Sequence, residues 1–231
     1  MAQKVLRNVT HCIFDMDGLL LDTERLYTEA TQMILDPYGK QYTFAVKEQI
    51  MGLQTRPLAE FLVKEYDLPI TWEEYAAKQK ENAQMLMRNA GLMPGAERLL
   101  RHLHAHKVPF CLATSSSADM FELKTTLHRE LFDLFNHRVC GSSDAEVKNG
   151  KPAPDIFLVA AQRFKDIPKP ESCLVFEDSP NGVTAGISAG MQVVMVPDER
   201  LSKERCDHAT QVLASLEDFK PEQFGLPPFS N

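Results

Sequence analysis

Side chains suited to metal or phosphate chemistry follow three short apolar runs of the sequence, at the point where each run ends. They are the acidic residues Asp15 and Asp17 after the run 12–14, the hydroxyl residue Thr114 after 109–113, and the acidic pair Glu177-Asp178 after 173–176. Each of them alone is more typical of a solvated turn or a helix cap. Brought together, the carboxylates would raise one another's pKa unless a cation lay among them, and Mg²⁺ prefers oxygen ligands. The combination predicts a hard divalent cation with room for water and phosphate.

The pattern of predicted elements brings these residues to one place. The apolar runs, with a fourth at 193–196, alternate with segments of helical periodicity at 95–106, 118–128 and 155–164. Such alternation is typical of a Rossmann-like α/β fold, in which a parallel sheet is covered by helices on both faces. Ligands bind beyond the carboxyl ends of the strands in these sheets. We therefore expect the acidic residues to meet at one edge of the sheet.

One long segment interrupts the alternation of strands and helices. Residues 23–90 show helical periodicity and no strand pattern, and Thr71-Trp72-Glu73-Glu74 is a capping box that opens a long helix. The turn-rich segment 91–95 then leads back to the sheet. We predict an α/β core made of residues 1–21 and 92–231, with an all-helical domain of residues 22–91 inserted after the first strand.

The composition limits the cellular location and the classes of binding partner to be expected. The formal charge of −7 disfavours a basic nucleic-acid-binding face, and no apolar stretch approaches the roughly 20 residues of a membrane-spanning helix. The five cysteines form no C-x-x-C pair, and the N-terminus has no apolar signal segment. The absence of G-x-G-x-x-G after a strand disfavours a dinucleotide-binding oxidoreductase. We expect a soluble, cytoplasmic monomer that acts on a small molecule and binds neither nucleic acid nor membrane.

Four motifs in order along the chain resemble those of the haloacid dehalogenase-like hydrolase superfamily. Asp15-Met16-Asp17-Gly18-Leu19 matches the first motif, Asp-x-Asp-x-(Thr/Val/Leu), and Thr114 matches the second. Lys151, in Gly150-Lys151-Pro152, matches the third, and Glu177-Asp178 matches the fourth. The similarity spans about residues 12–196, and the helical insertion occupies the place of that family's cap domain.

The resemblance implies phosphoryl transfer through a covalent aspartyl-phosphate. Asp15 would be the nucleophile and Asp17 the general acid and base. Lys151 and Thr114 would bind phosphoryl oxygens. Mg²⁺ would be held by Asp15, the main-chain carbonyl of Asp17, and Asp178, while Glu177 would orient Asp178 or a metal-bound water. The expected activity is that of a phosphoric monoester hydrolase.

The four motifs do not identify the leaving group, because in this superfamily the cap selects the substrate. Further similarity within the family, at 14–27, 92–97, 189–198 and 216–227, implies pseudouridine 5′-phosphate as the ester. An alternative substrate is a sugar or polyol phosphate such as glycerol phosphate. An alternative activity is that of a β-phosphoglucomutase-like isomerase, although such enzymes carry a histidine where this chain has Tyr27. A phosphate-binding regulatory protein without turnover is a further possible class, which the intact motif residues disfavour.

Overall fold

The computed structural model describes residues 6–50, 53 and 55–229. Parts of the predicted core (1–5, 230 and 231) and of the predicted helical domain (51, 52 and 54) lie outside the described residues. The chain divides into two compact units, one made of Met1–Asp22 with Gly91–Asn231 and the other of Thr23–Ala90.

The unit Thr23–Ala90 is helical throughout its regular elements. Within the described residues it contains four α-helices: α1 (Thr23–Leu35), α2 (Phe44–Ile50), α3 (Thr55–Glu65) and α4 (Trp72–Met87). The predicted capping box is present, because the Thr71 hydroxyl accepts from the Glu74 N–H and the Glu74 carboxylate accepts from the Thr71 N–H. Leu35, Leu62 and Tyr75 are buried in this unit's own hydrophobic core.

The larger unit contains a six-stranded sheet in which every adjacent pair of strands is parallel. The strands are β1 (His11–Phe14), β2 (Phe110–Thr114), β3 (Arg138–Cys140), β4 (Cys173–Glu177), β5 (Gln192–Met195) and β6 (Gln211–Val212). Every residue of β1, β2 and β4 is buried. Because successive side chains of a strand point to opposite faces, both faces of the sheet are covered. The predicted Rossmann-like α/β class is confirmed.

In the described part of the larger unit, five α-helices accompany the sheet: α5 (Ala96–Ala105), α6 (Ala118–Lys124), α7 (Arg129–Phe132), α8 (Asp155–Gln162) and α9 (Pro180–Ser188). The helix predicted over 118–128 is in fact shorter and is followed by a second one. At its end the Thr125 hydroxyl donates to the Phe121 carbonyl at 2.8 Å and the backbone leaves the helical conformation. Strands β3 and β6 were not predicted.

The strand order β3-β2-β1-β4-β5-β6 reverses direction between β1 and β4. Ligands of open α/β sheets bind at such a switch point, beyond the carboxyl ends of the strands. Phe14 lies opposite Phe176 in the register, so Asp15 and Glu177 end neighbouring strands at the same level. The Asp15 N–H donates to the Phe176 carbonyl at 3.0 Å, which extends the pairing to Asp15 itself.

Candidate active site

The chain makes a tight turn after β1, and this turn positions the first two acidic residues. The Leu20 and Leu21 N–H groups both donate to the Met16 carbonyl, and the Gly18 N–H donates to the Leu21 carbonyl. Gly18 has a φ of 79°, a left-handed conformation that glycine adopts without a steric penalty. As a result Asp15 is buried while Asp17 keeps a fifth of its side chain exposed.

Lys151 joins the carboxyl ends of β1 and β4. Its ammonium lies 2.5 Å from Asp15 Oδ1 and 2.7 Å from Glu177 Oε1, and it also donates to the Ala113 carbonyl at the end of β2. All three charged side chains are buried. The structure therefore brings the predicted third-motif lysine to the predicted nucleophile.

Glu177 organises the loop that carries Asp178. Its Oε2 accepts from the N–H groups of Asp178 and Ser179, both at 3.0 Å, and from the Ser179 hydroxyl at 3.1 Å. Its carboxylate also lies where a Cβ at Gly182 would be, so the first turn of α9 leaves room for it. Glu177 thus fixes the backbone of Asp178, which is half-buried directly after β4.

Lys124, at the end of α6, is the charged residue of this cluster that sequence reasoning missed. Its ammonium lies 2.6 Å from Asp17 Oδ1 and donates to the Ser116 hydroxyl at 2.9 Å. The Ser116 hydroxyl in turn donates to Asp17 Oδ2 at 2.9 Å, and Thr114 Oγ1 lies 3.4 Å from the same oxygen. A signal was present, because Lys124 follows the buried Phe121 by three residues and so lies on the apolar face of its helix.

The cluster has an excess of negative charge. Four carboxylates (Asp15, Asp17, Glu177 and Asp178) lie at these strand ends, against the two lysines Lys124 and Lys151. Burial raises the pKa of Asp15 to about 7; Lys151 opposes this rise, while Glu177 and Asp17 add to it. Burial alone would lower the pKa of Lys151, but Asp15 and Glu177 raise it above its usual value. An added cation would relieve this imbalance.

The donor atoms at the strand ends fit Mg²⁺. Carboxylate oxygens of Asp15 and Asp178 and the main-chain carbonyl of Asp17 are the oxygen ligands that this ion prefers. In the part of the chain that the structure describes, no three His, Cys, Asp or Glu side chains form a group able to hold a metal. The predicted set does not require one, because its third protein ligand is a carbonyl.

Comparison with known proteins identifies the family. A model described as haloacid dehalogenase-like hydrolase matches residues 9–190, a range that includes every residue of the cluster above. The chain belongs to the haloacid dehalogenase-like hydrolases. A hydrolase of this family from Deinococcus radiodurans, solved with bound phosphate and sodium, shares the fold with a TM-score of 0.79 at 24% identity, covering 96% of this chain and 99% of that chain.

Two curated relatives of this hydrolase are described as phosphatases. A probable pseudouridine-5′-phosphatase of Drosophila melanogaster is 77% identical over 231 residues, which is all of both chains. A (DL)-glycerol-3-phosphatase of Arabidopsis thaliana is 48% identical over 227 residues, or 97% of this chain and 94% of that one. The chain is accordingly a phosphatase of the haloacid dehalogenase-like family. None of the helices described for it is long and apolar enough to cross a membrane.

Proposed function

We propose that this phosphatase hydrolyses a small phosphomonoester through an aspartyl-phosphate on Asp15, with Mg²⁺ as its cofactor. The observation that carries the proposal is the buried contact of Lys151 with both Asp15 and Glu177 at the switch point of the sheet. A buried carboxylate beside a lysine is suited to attack an anionic phosphate, because the lysine offsets the repulsion between the two anions.

In the first half-reaction, an Asp15 oxygen forms a bond to phosphorus while the bond from phosphorus to the leaving oxygen breaks. The electron pair of the broken bond goes to the leaving oxygen, which takes a proton from the Asp17 carboxyl group. Lys151 and Thr114 bind phosphoryl oxygens during this transfer. Both residues already lie beside the acidic pair, Lys151 at Asp15 and Thr114 near Asp17.

In the second half-reaction, a water oxygen attacks phosphorus and its proton goes to the Asp17 carboxylate. The bond between phosphorus and Asp15 breaks, and its electron pair returns to the Asp15 carboxylate. Asp15, the Asp17 carbonyl and Asp178 would hold Mg²⁺, with Glu177 orienting Asp178. When bound, this ion compensates negative charge where two anions meet.

The preferred substrate in this proposal is pseudouridine 5′-phosphate. Full-length identity of 77% to the Drosophila relative supports it. Glycerol 3-phosphate is the second candidate, supported by 48% identity to the Arabidopsis enzyme. That the protein is monomeric and cytoplasmic stays a prediction.

Two measurements test the proposal. In the first, kcat/KM is determined with Mg²⁺ for pseudouridine 5′-phosphate, other nucleoside monophosphates, glycerol 3-phosphate and sugar phosphates, including β-glucose 1-phosphate for isomerisation. We expect the kcat/KM for pseudouridine 5′-phosphate to be among the highest. A low value relative to the other esters would contradict the substrate assignment but not the mechanism.

In the second measurement, Asp17→Asn is mixed with 4-nitrophenyl phosphate, whose leaving group needs no proton from Asp17, and the sample is quenched in acid and analysed by peptide mass spectrometry. We expect a phosphoryl group on the peptide that contains Asp15, because the variant lacks the base for its hydrolysis. A phosphoryl group found on another residue, or on none, would contradict the mechanism.

A further inference from the structure

Lys124 is buried in a way that packing alone does not explain. Its side chain is completely inaccessible to solvent, and its ammonium contacts Asp17 Oδ1 and the Ser116 hydroxyl. Removing an ammonium group from water is unfavourable unless a charged partner and hydrogen bonds compensate it. An apolar residue would fill the same position without that penalty, so the position of Lys124 is explained by Asp17.

The contacts of Asp17 fix both of its carboxylate oxygens. Oδ1 is held by Lys124 and Oδ2 by Ser116, and Ser116 also bonds to Lys124, so the three side chains form a closed ring of hydrogen bonds. Two polar contacts on different oxygens define the orientation of a carboxylate plane, which a single contact does not. The two buried lysines of the site therefore have different partners: Lys151 holds Asp15 and Glu177, and Lys124 holds Asp17.

We propose that Lys124 is a positioning residue which, together with Ser116, holds the Asp17 carboxylate in place for hydrolysis of the phosphoenzyme. This inference rests on the proposed function, in which Asp17 takes a proton from the attacking water while the bond between phosphorus and Asp15 breaks. In this ring both Asp17 oxygens accept hydrogen bonds, an arrangement that suits the acceptance of this proton. Lys124 itself touches neither water nor phosphorus in this step.

The test compares Lys124→Met with the unchanged protein, using 4-nitrophenyl phosphate in the presence of Mg²⁺. The leaving group of this ester needs no proton, so kcat/KM reports formation of the phosphoenzyme while kcat also includes its hydrolysis. We expect kcat to fall by about 10- to 100-fold and KM to fall in parallel, which leaves kcat/KM within about threefold. Acid quenching during turnover should show phosphoenzyme on Asp15.

Ser116→Ala provides a second, smaller change in case Lys124→Met does not fold. It removes the Ser116 contact on Asp17 Oδ2 and leaves that of Lys124 on Oδ1, and we expect a smaller parallel fall of kcat and KM, again with accumulation of phosphoenzyme. Lys47→Met is the matched control. Lys47 is likewise nearly buried and contacts a carboxylate, Glu24, and a hydroxyl, Thr28, within the unit Thr23–Ala90. We expect no phosphoenzyme to accumulate in this control.

The outcomes separate this inference from the proposed function. If Asp17→Asn accumulates phosphoenzyme and the Lys124 and Ser116 variants do not, the role of Lys124 is wrong and the mechanism stands. An equal fall of kcat and kcat/KM without phosphoenzyme would indicate a merely structural lysine, and accumulation in Lys47→Met would overturn the assignment to Lys124. If Asp17→Asn itself yields no phosphoenzyme on Asp15, the proposed function fails first.

Discussion

Asp15, the proposed nucleophile, is buried, and burial and Lys151 act on the pKa of its carboxyl group in opposite directions. Burial raises its pKa to about 7, whereas Lys151 at 2.5 Å favours the ionised form. The carboxylate is therefore kept with little water around it and with one strong electrostatic partner. A nucleophile in this setting does not have to lose a hydration shell before it attacks.

Replacing Asp15 by asparagine tests this role directly. We expect Asp15→Asn to lower kcat by at least about a thousandfold, because the amide is a poor nucleophile towards phosphorus. The fold should persist, since Lys151 retains Glu177 as a partner. Steady-state hydrolysis and thermal unfolding of the same samples check both statements. Asp166→Asn, which changes an exposed aspartate outside the site, is the control; near-normal turnover of Asp15→Asn would remove the nucleophile assignment.

Beyond its proposed role in binding phosphate, Lys151 should stabilise the fold, since it is paired with two buried carboxylates. We expect Lys151→Met to lower the free energy of unfolding by about 3 kcal/mol, because Asp15 and Glu177 lose their common cation. Adding Glu177→Gln should recover part of the lost free energy of unfolding, because it removes one uncompensated charge. Urea unfolding of the single and double variants measures this recovery.

The exposed Lys165 provides a control for the lysine substitution. Lys165→Met should change the free energy of unfolding by no more than about 0.5 kcal/mol. A double variant that is less stable than the sum of the two single losses would show that the carboxylates are not destabilised by the missing charge.

The start of helix α9 shows how an element is shaped around a charged side chain. A Cβ at Gly182 would lie 1.7 Å from Glu177 Oε1, so this position excludes every larger residue while the carboxylate stays in place. The carboxylate is held there by Lys151 and by the N–H groups of Asp178 and Ser179. The helix and the acidic loop are therefore fitted to each other.

Gly182→Ala should consequently have the opposite sign from an ordinary helical substitution. Glycine to alanine inside a helix normally stabilises by about 1 kcal/mol, yet here we expect a loss of about 2 kcal/mol from overpacking. Turnover should fall too, since Glu177 must move. Urea unfolding and kcat measure both effects. Gly91→Ala, where no atom lies within 4 Å of the new Cβ, is the control, and equal effects of the two variants would contradict the steric explanation.

Some strands and site residues could be predicted from the sequence, and others could not. β1, β2, β4 and β5 were predicted because each is a short apolar run, whereas β3 and β6 were not, since three and two residues carry too little periodic signal. Asp15 and Thr114 were predicted from their positions after apolar runs, and Lys151 was predicted from a family motif alone. Lys124 was not, because a lysine is ordinarily exposed and its partner Asp17 lies 107 positions away in the sequence.

The site as a whole exists only in the folded chain, because its carboxylates come from two distant segments. Asp15 and Asp17 follow β1 and Glu177 and Asp178 follow β4, and the parallel register of these two strands brings their ends to one level. Folding thus brings four carboxylates and two lysines to one edge of the sheet. A divalent cation that binds this arrangement binds the folded state in preference to the unfolded one, and so it must stabilise the protein.

Because a bound cation should stabilise the folded state, removing the metal tests the proposed metal site as a whole. We expect EDTA to abolish phosphatase activity and Mg²⁺ to restore it. In the absence of substrate, Mg²⁺ at about ten times its Kd should raise the Tm by roughly 3–5 °C. Asp178→Asn should lose most of that rise, because it removes one of the two carboxylate ligands, whereas Asp166→Asn should keep it. Unchanged activity in EDTA would exclude Mg²⁺ from the reaction, and an equal rise in Asp178→Asn would place the ion elsewhere.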